Sequence, residues 1–446
     1  MNSVIVLISR DPVLDAVEAL RARESLNARL GAAWKEARCD ERIVSAEIVQ
    51  IGYWPRKRAR LVIKANIAQR KGKTSEQFFY AQLYPDAESC LRRLASALEK
   101  TGHQHQSHPP VFAWPELNAV VWSLPNGPLL GKARLCFSRE KFRAWWVKIG
   151  LANDWAAAVE APELKRYVPR SRVLFRTLHE PGQAAYIKFY TKSTAGAAVA
   201  NLAMVSEMQK SGLGFRVPRI LAFDRGARAV VMEELPGQIL SELFDDHRAL
   251  GAVGAALARL HGSSLRPPTK WEVSAELAAL RRAMADVRLA LPQCVDSLDL
   301  LVGRIEREAS ALDYTACQPI HGNLFGDQIL IDGGRVAIVD WDDLCAGDPL
   351  YDLGRLIAHM IYVGLAEGTS SSTAEKIAVV IAAYKSHSAT TVDTMRLRWH
   401  TAAALLMRAK ISGLRRLSKG WRATTKAAVG EADAILSGAR PWALAA

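Results

Sequence analysis

The chain has no C-x-x-C pair. Its six cysteines (Cys39, Cys90, Cys136, Cys294, Cys317 and Cys345) are scattered, which argues against a disulfide framework and against a zinc site. Reduced thiols, and so a cytoplasmic location, are the expectation. No apolar run approaches the ~20 residues that cross a bilayer. The opening run at 4–8 is stopped by Arg10-Asp11. It is too short for a signal-peptide core and reads as a first strand or a helix face. Acidic residues are in deficit: 59 Lys and Arg against 45 Asp and Glu give a net charge of +14. That excess invites a nucleic-acid reading. No zinc-finger, bZIP or RNP-like motif accompanies it, however, and the basic residues are spread along the chain, with local clusters at 56–60, 165–166 and 408–422. Nucleotide phosphates, an acidic substrate or an acidic partner would suit such a surface equally, and nucleic-acid binding ranks below them. His103, His105 and His108 fall in a Gln/Ser/Pro-rich stretch that reads as a solvated linker rather than a metal site.

What is present is globular. The chain has 446 residues, half of them apolar and 23% charged, enough for two or three domains with substantial cores. The most informative stretch is 319–352, PIHGNLFGDQILIDGGRVAIVDWDDLCAGDPLYD. A polar loop at 321–328 leads into Ile329-Leu330-Ile331, an apolar and β-branched short strand. Asp332-Gly333-Gly334 is a hairpin turn, and 336–339 is the return strand, which delivers Asp340 to its end. Two polar clusters are thereby brought side by side, as a metal–phosphate site requires. His321, Gly322 and Asn323, then four residues and Gln328, follow the spacing of a kinase catalytic loop, H-x-D-x-x-x-x-N. Asp340-Trp341-Asp342 stands where the metal-binding acidic triplet would.

These residues, with Gly347-Asp348-Pro349-Leu350-Tyr351-Asp352-Leu353 behind them, resemble the aminoglycoside phosphotransferase and choline-kinase-like family. The resemblance implies an α+β, protein-kinase-like bilobal fold, with an antiparallel β small lobe at 151–237 and a helical large lobe at 238–446. It also implies ATP or another nucleoside triphosphate and Mg²⁺ as cofactors. Under it, Lys188 is the strand lysine for the α/β-phosphates, Glu207 its ion-pair partner, and Glu234 and Leu235 the hinge against an adenine ring. Gln328, Asp340 and Asp342 become metal ligands, and His321 belongs to the catalytic loop. Asp348 and Asp352 read as structural.

The departures carry equal weight. The family's base is an Asp, and this chain has Asn323, whose amide orients a hydroxyl but does not take its proton; general-base catalysis is worth about 10²–10⁴ in rate. Asp327 is the neighbouring candidate to stand in as base or ligand. No G-x-G-x-x-G covers the 169–172 turn, so phosphate cover falls to Arg170, Ser171 or Arg172, or is missing. Two readings follow: an ATP-dependent phosphotransferase of a small hydroxylated molecule, or a pseudokinase that binds or scaffolds a peptide, a natural-product precursor or a partner enzyme.

The first 150 residues read as an extra small-lobe-like module and as a candidate surface for a protein partner. Tyr53-Trp54-Pro55-Arg56 resembles Tyr167-Val168-Pro169-Arg170, and Tyr80-Ala81-Gln82-Leu83-Tyr84 lines up with Tyr186-Ile187-Lys188-Phe189-Tyr190. Ala119-Val120-Val121, before Leu124-Pro125-Asn126-Gly127, mirrors Ala229-Val230-Val231, before Leu235-Pro236-Gly237. Three blocks in one order suggest a duplication. Gln82 stands where the second copy has Lys188, so the first copy reads as a module that binds no nucleotide. Its Arg56, Lys57, Arg58 and Arg60 read as a docking face or a solvated edge. Helices are expected at 138–155, 195–210, 250–261, 274–291, 298–312, 351–362, 374–385 and 395–419.

Overall fold

The structure, a computed structural model, describes residues 10–37, 39, 41–68, 73–101, 109–128, 132–151, 161–169, 171–180, 182–210, 212–312, 317–389 and 391–440. The opening run at 4–8, the histidines 103, 105 and 108, and Arg170 lie outside the described residues. The chain divides into two compact units, one of 1–129 with 414–418 and one of 130–413 with 419–446.

The first unit begins with helices α1 (Pro12–Ala19) and α2 (Arg23–Glu36). Asp11 caps α1 by accepting from the amides of Val13 and Leu14. Strands β1 (Arg42–Trp54), β2 (Arg58–Ala68) and β3 (Thr74–Leu83) follow, then helix α3 (Ala87–Thr101) and strands β4 (Val111–Trp114) and β5 (Ala119–Ser123). The sheet order is β1-β2-β3-β5-β4, antiparallel throughout. Trp34 of α2 packs edge-on against Phe79 and Phe112 in a core where all three are nearly fully buried. Arg58 and Arg60 lay their guanidinium groups over Trp54, at 5.0 and 4.8 Å from the ring centroid.

The second unit opens with helix α4 (Arg139–Lys148), shorter than expected. Ser138 caps it, and Phe142, Trp145 and Trp146 are buried. Strands β6 (Glu163–Val168), β7 (Arg172–Glu180) and β8 (Gln183–Tyr190), helix α5 (Ala195–Lys210), and strands β9 (Ile220–Asp224) and β10 (Ala229–Glu233) come next. This sheet runs β6-β7-β8-β10-β9, the same order as the first. Strand β11 (Gln238–Ile239) leads to helices α6 (His247–His261), α7 (Val273–Ala290) and α8 (Val295–Ala309). Strands β12 (Gln318–Ile320), β13 (Ile329–Asp332), β14 (Arg335–Ile338) and β15 (Cys345–Gly347) frame the polar loops. Helices α9 (Pro349–Glu367), α10 (Ser370–His387), α11 (Thr394–Arg408) and α12 (Trp421–Leu436) complete the helical lobe. This is the α+β, protein-kinase-like bilobal fold, with an additional α+β module ahead of it.

Two expectations are corrected. The helix expected over 395–419 ends at Arg408 and passes into a π-helical turn at Ala409–Arg415. Gly413 packs against the Thr425 hydroxyl with no room for a side chain, and left-handed Leu417 and Gly420 then turn the backbone. The hairpin turn is Gly333-Gly334, at φ +56° and +85°, because Asp332 pairs with Arg335 and belongs to the strands. Two consecutive positive φ values are what a two-residue hairpin turn needs. Among the described residues no helix is long and apolar enough to cross a membrane.

Candidate active site

Side chains alternate along β8. Ala185, Ile187 and Phe189 are fully buried on one face, which leaves Lys188 and Tyr190 together on the other. The Lys188 ammonium donates to Asp340 Oδ1 at 2.5 Å and to Asp342 Oδ2 at 2.6 Å. Tyr190 Oη donates to Asp342 Oδ1 at 2.9 Å. Arg172, the first residue of β7, stands 3.7 Å from Asp340 Oδ2. The hairpin of β13 and β14 delivers Asp340, and the left-handed backbone there, φ +68° and ψ +53°, turns the chain at once into Trp341-Asp342-Asp343. Trp341 is clamped between Phe215, stacked at 6.2 Å, and His321, at 4.8 Å.

Burial would raise the Asp340 carboxyl, but the Lys188 and Arg172 charges outweigh it and hold the group well below the usual carboxylate range. Burial, and then the Asp342 charge, push the Tyr190 phenol far up, so it stays a donor.

Several residues have other work than the sequence implied. Glu207 is exposed on α5, and the ion-pair partners of Lys188 are Asp340 and Asp342. The site-facing residue of α5 is Asn201, 5% exposed, whose amide donates to the carbonyls of Asp342 and Leu344 at 3.1 and 3.4 Å. It lies six residues, about one and two-thirds turns, before Glu207, so the helical period turns the acid outward. Gln328 accepts from the Phe325 amide at 2.9 Å with its carbonyl oxygen. Its NH₂ faces Asp340 Oδ2 at 3.4 Å. It therefore steadies the aspartate with its NH₂ while its oxygen is turned to the Phe325 amide. Asp327 accepts from the Ser241 hydroxyl at 2.6 Å and lies 4.0 Å from His359, directed toward those residues rather than toward Asn323.

His321 is fully buried. Its Nε2 bonds the Val339 carbonyl at 3.0 Å and its Nδ1 accepts from the Asn323 amide at 3.4 Å. It ties the loop to the hairpin. Asp352 accepts from the amides of His321 and Gly322 at 2.6 and 3.0 Å and bonds His261 at 3.3 Å. Asp348 caps α9 through the Leu350 amide and bonds His400. At the segment expected to form the hinge, the Glu234 amide is taken by the Ala184 carbonyl at 2.9 Å. Its carboxylate is gripped by both arms of Arg176 at 2.8 and 2.6 Å, and Leu235 is buried.

Asn323 donates to Asp343 Oδ2 at 3.0 Å. A carboxylate thus stands beside the position where the family carries its base. Gly322, at φ +81°, lies against the Asp343 carbonyl with no room for a Cβ, which fixes that approach. The sequence held two signals for these missed residues: the acidic run continues through Asp343, and Asn201 is the sole polar residue in the first eleven positions of α5.

Asp340 and Asp342 offer hard carboxylate oxygens, the kind that Mg²⁺ takes from one or two residues alongside substrate phosphates. Among the described residues no group of three or more His, Cys, Asp or Glu gathers to hold a metal without such help. The residues fit a two-carboxylate Mg²⁺ site and not a closed protein cage.

A five-stranded small lobe whose third strand offers a lysine to a hairpin aspartate of a helical lobe defines the kinase-like phosphotransferase class. Within that class, residues 170–379 match the model of the phosphotransferase enzyme family. A choline/ethanolamine kinase family protein from Mesorhizobium loti is similar at 21% identity, with 67% of this chain and 94% of that one covered and a TM-score of 0.47. An aminoglycoside phosphotransferase from Streptomyces rimosus is 21% identical over 59% of this chain and 97% of that one, with a TM-score of 0.40. Choline kinase LicA from Streptococcus pneumoniae is 15% identical over 67% and 99%, with a TM-score of 0.45. No curated protein matches the sequence.

Proposed function

We propose that the second unit is a nucleotide-dependent phosphotransferase acting on a small hydroxylated acceptor. The observation that carries this reading is the Lys188 ammonium between Asp340 and Asp342, at 2.5 and 2.6 Å. Phosphoryl transfer rests mainly on positioning and charge neutralisation, and a lysine beside two carboxylates supplies both kinds of charge at one point. Lys188 and Arg172 bind the triphosphate. Mg²⁺ held by Asp340 and Asp342 neutralises phosphate charge when bound. Asn323 orients the acceptor hydroxyl, and the Asp343 carboxylate bonded to it takes the proton. The hydroxyl oxygen attacks the γ-phosphorus, the bond from that phosphorus to the oxygen bridging to the β-phosphate breaks, and the nucleoside diphosphate leaves.

The test is transfer of labelled γ-phosphate from Mg²⁺-ATP to a panel of hydroxylated amines, aminoglycosides and choline first, by wild type, Asp343→Asn and Asn323→Asp. Transfer by wild type that falls about 10²-fold or more in Asp343→Asn supports the assignment. A second reading, a binding protein of kinase descent, is favoured by the neutral Asn323. ATP binding without transfer in wild type and in Asn323→Asp selects it.

A further inference from the structure

We infer that a second pocket, where the 214–216 segment meets α6 and the β13–β14 hairpin, apart from the Lys188 centre, binds a phosphate monoester of a small organic molecule. The pocket is an open depression of about 480 Å³, within the range of small-molecule sites. Arg216, Arg259 and Arg335 line it, each from a different segment, around an apolar floor that includes Phe215, Ala252 and Ala255. None of its lining residues is acidic.

The helix supplies this arrangement by its period. Arg248, Ala252, Ala255 and Arg259 follow one another on α6 at steps of four, three and four, so they share one face. Two alanines leave the room, and an arginine stands at either end. The facing wall is the tip of the β13–β14 hairpin, where Gly334 lies close enough for an added Cβ to meet the Arg248 guanidinium at 3.7 Å. Arg216 is fixed by its backbone: its amide donates to the Val336 carbonyl at 2.8 Å, and its carbonyl accepts from the Ile338 amide at 2.9 Å.

The charge there is undercompensated. Arg335 pairs with Asp332 at 2.8 Å and Arg259 donates to the Gly214 carbonyl at 3.4 Å. The guanidinium groups of Arg216 and Arg248 have no ion-pair partner among the described residues. Guanidinium forks match oxyanions. Three walls that each offer one suit a group with three terminal oxygens, which a planar carboxylate lacks, and the apolar floor suits an ester's organic part.

The test is calorimetric titration of the full chain with phenyl phosphate, inorganic phosphate and benzoate at matched ionic strength. Phenyl phosphate is expected to bind more tightly than either of the others. Its affinity should persist in Lys188→Met and fall about tenfold or more in Arg216→Ala, the scale of one charged hydrogen bond. Ala252→Glu, which keeps every arginine but sets an acid on the floor, should abolish it. The proposal is overturned by absence of binding, by equal affinity for benzoate, by loss in Lys188→Met, or by binding that survives Ala252→Glu.

Discussion

The two five-stranded sheets share one strand order and, at the corresponding place, the same three-position pattern on one strand face. Tyr80, Gln82 and Tyr84 in the first answer to Tyr186, Lys188 and Tyr190 in the second. Even the register agrees, for Gln82 pairs with Val120 and Lys188 with Val230. The first sheet satisfies its central residue from within: Tyr80 Oη donates to Gln82 Oε1 at 3.0 Å. The second sends its central residue and the following tyrosine to carboxylates more than 150 positions along the chain. A neutral amide at this position makes a self-contained sheet, whereas an ammonium makes a sheet that needs the hairpin of the helical lobe. The chemistry proposed for the second unit rests on that dependence.

Exchanging the two residues tests this directly. Lys188→Gln makes the second sheet resemble the first, and removes the charge between Asp340 and Asp342. Phosphate transfer should fall about 10³-fold or more, the scale of a charge-stabilising group in phosphoryl transfer, as read by single-turnover kinetics. Gln82→Lys makes the reverse change. It buries an ammonium where Arg60 and Arg93 already act on the neighbouring Tyr80 and where the residue at this position bonds a tyrosine hydroxyl rather than a carboxylate. An uncompensated buried charge costs about 3–5 kcal/mol, which urea denaturation would detect. Tyr190→Phe removes one hydrogen bond to Asp342, and about 1.5–3 kcal/mol is expected for a bond to a charged group.

The fourth contrast is in pH. Asp340 lies below its ordinary value of 3.8 in the folded chain, so its contribution to stability is present above that value and fades as pH falls through and below it. The acid-side loss of stability below about pH 4 should therefore be less steep in Lys188→Gln. Burial is then opposed by Arg172 and weaker neighbours alone. Urea midpoints between pH 2 and 6 read this slope.

Most of the architecture was legible because it rests on local chemistry. The Gly333-Gly334 turn, the apolar strands beside it and the alternation along β8 each follow from short-range rules. Lys188 and Asp340 were legible as partners of one site because their motifs are spaced for it. The direction of long polar side chains was not. Gln328 has an amide that can face either way, and a backbone amide three residues before it decides the matter. Glu207 was the sole acid on its helix, yet the phase of that helix presents Asn201 to the site. Asp343 was hidden as the third acid of a run whose first two members had roles, and only the tight approach of Gly322 brings it to Asn323.

The central claim is that Lys188 and Asp340 form a centre for nucleotide phosphates. Calorimetric titration of the chain with ATP, with and without Mg²⁺, in wild type and in Asp340→Ala tests it most directly. The account predicts binding that Mg²⁺ strengthens in wild type, and no Mg²⁺ enhancement in Asp340→Ala. Failure of wild type to bind ATP, or the same Mg²⁺ enhancement in both proteins, would contradict it.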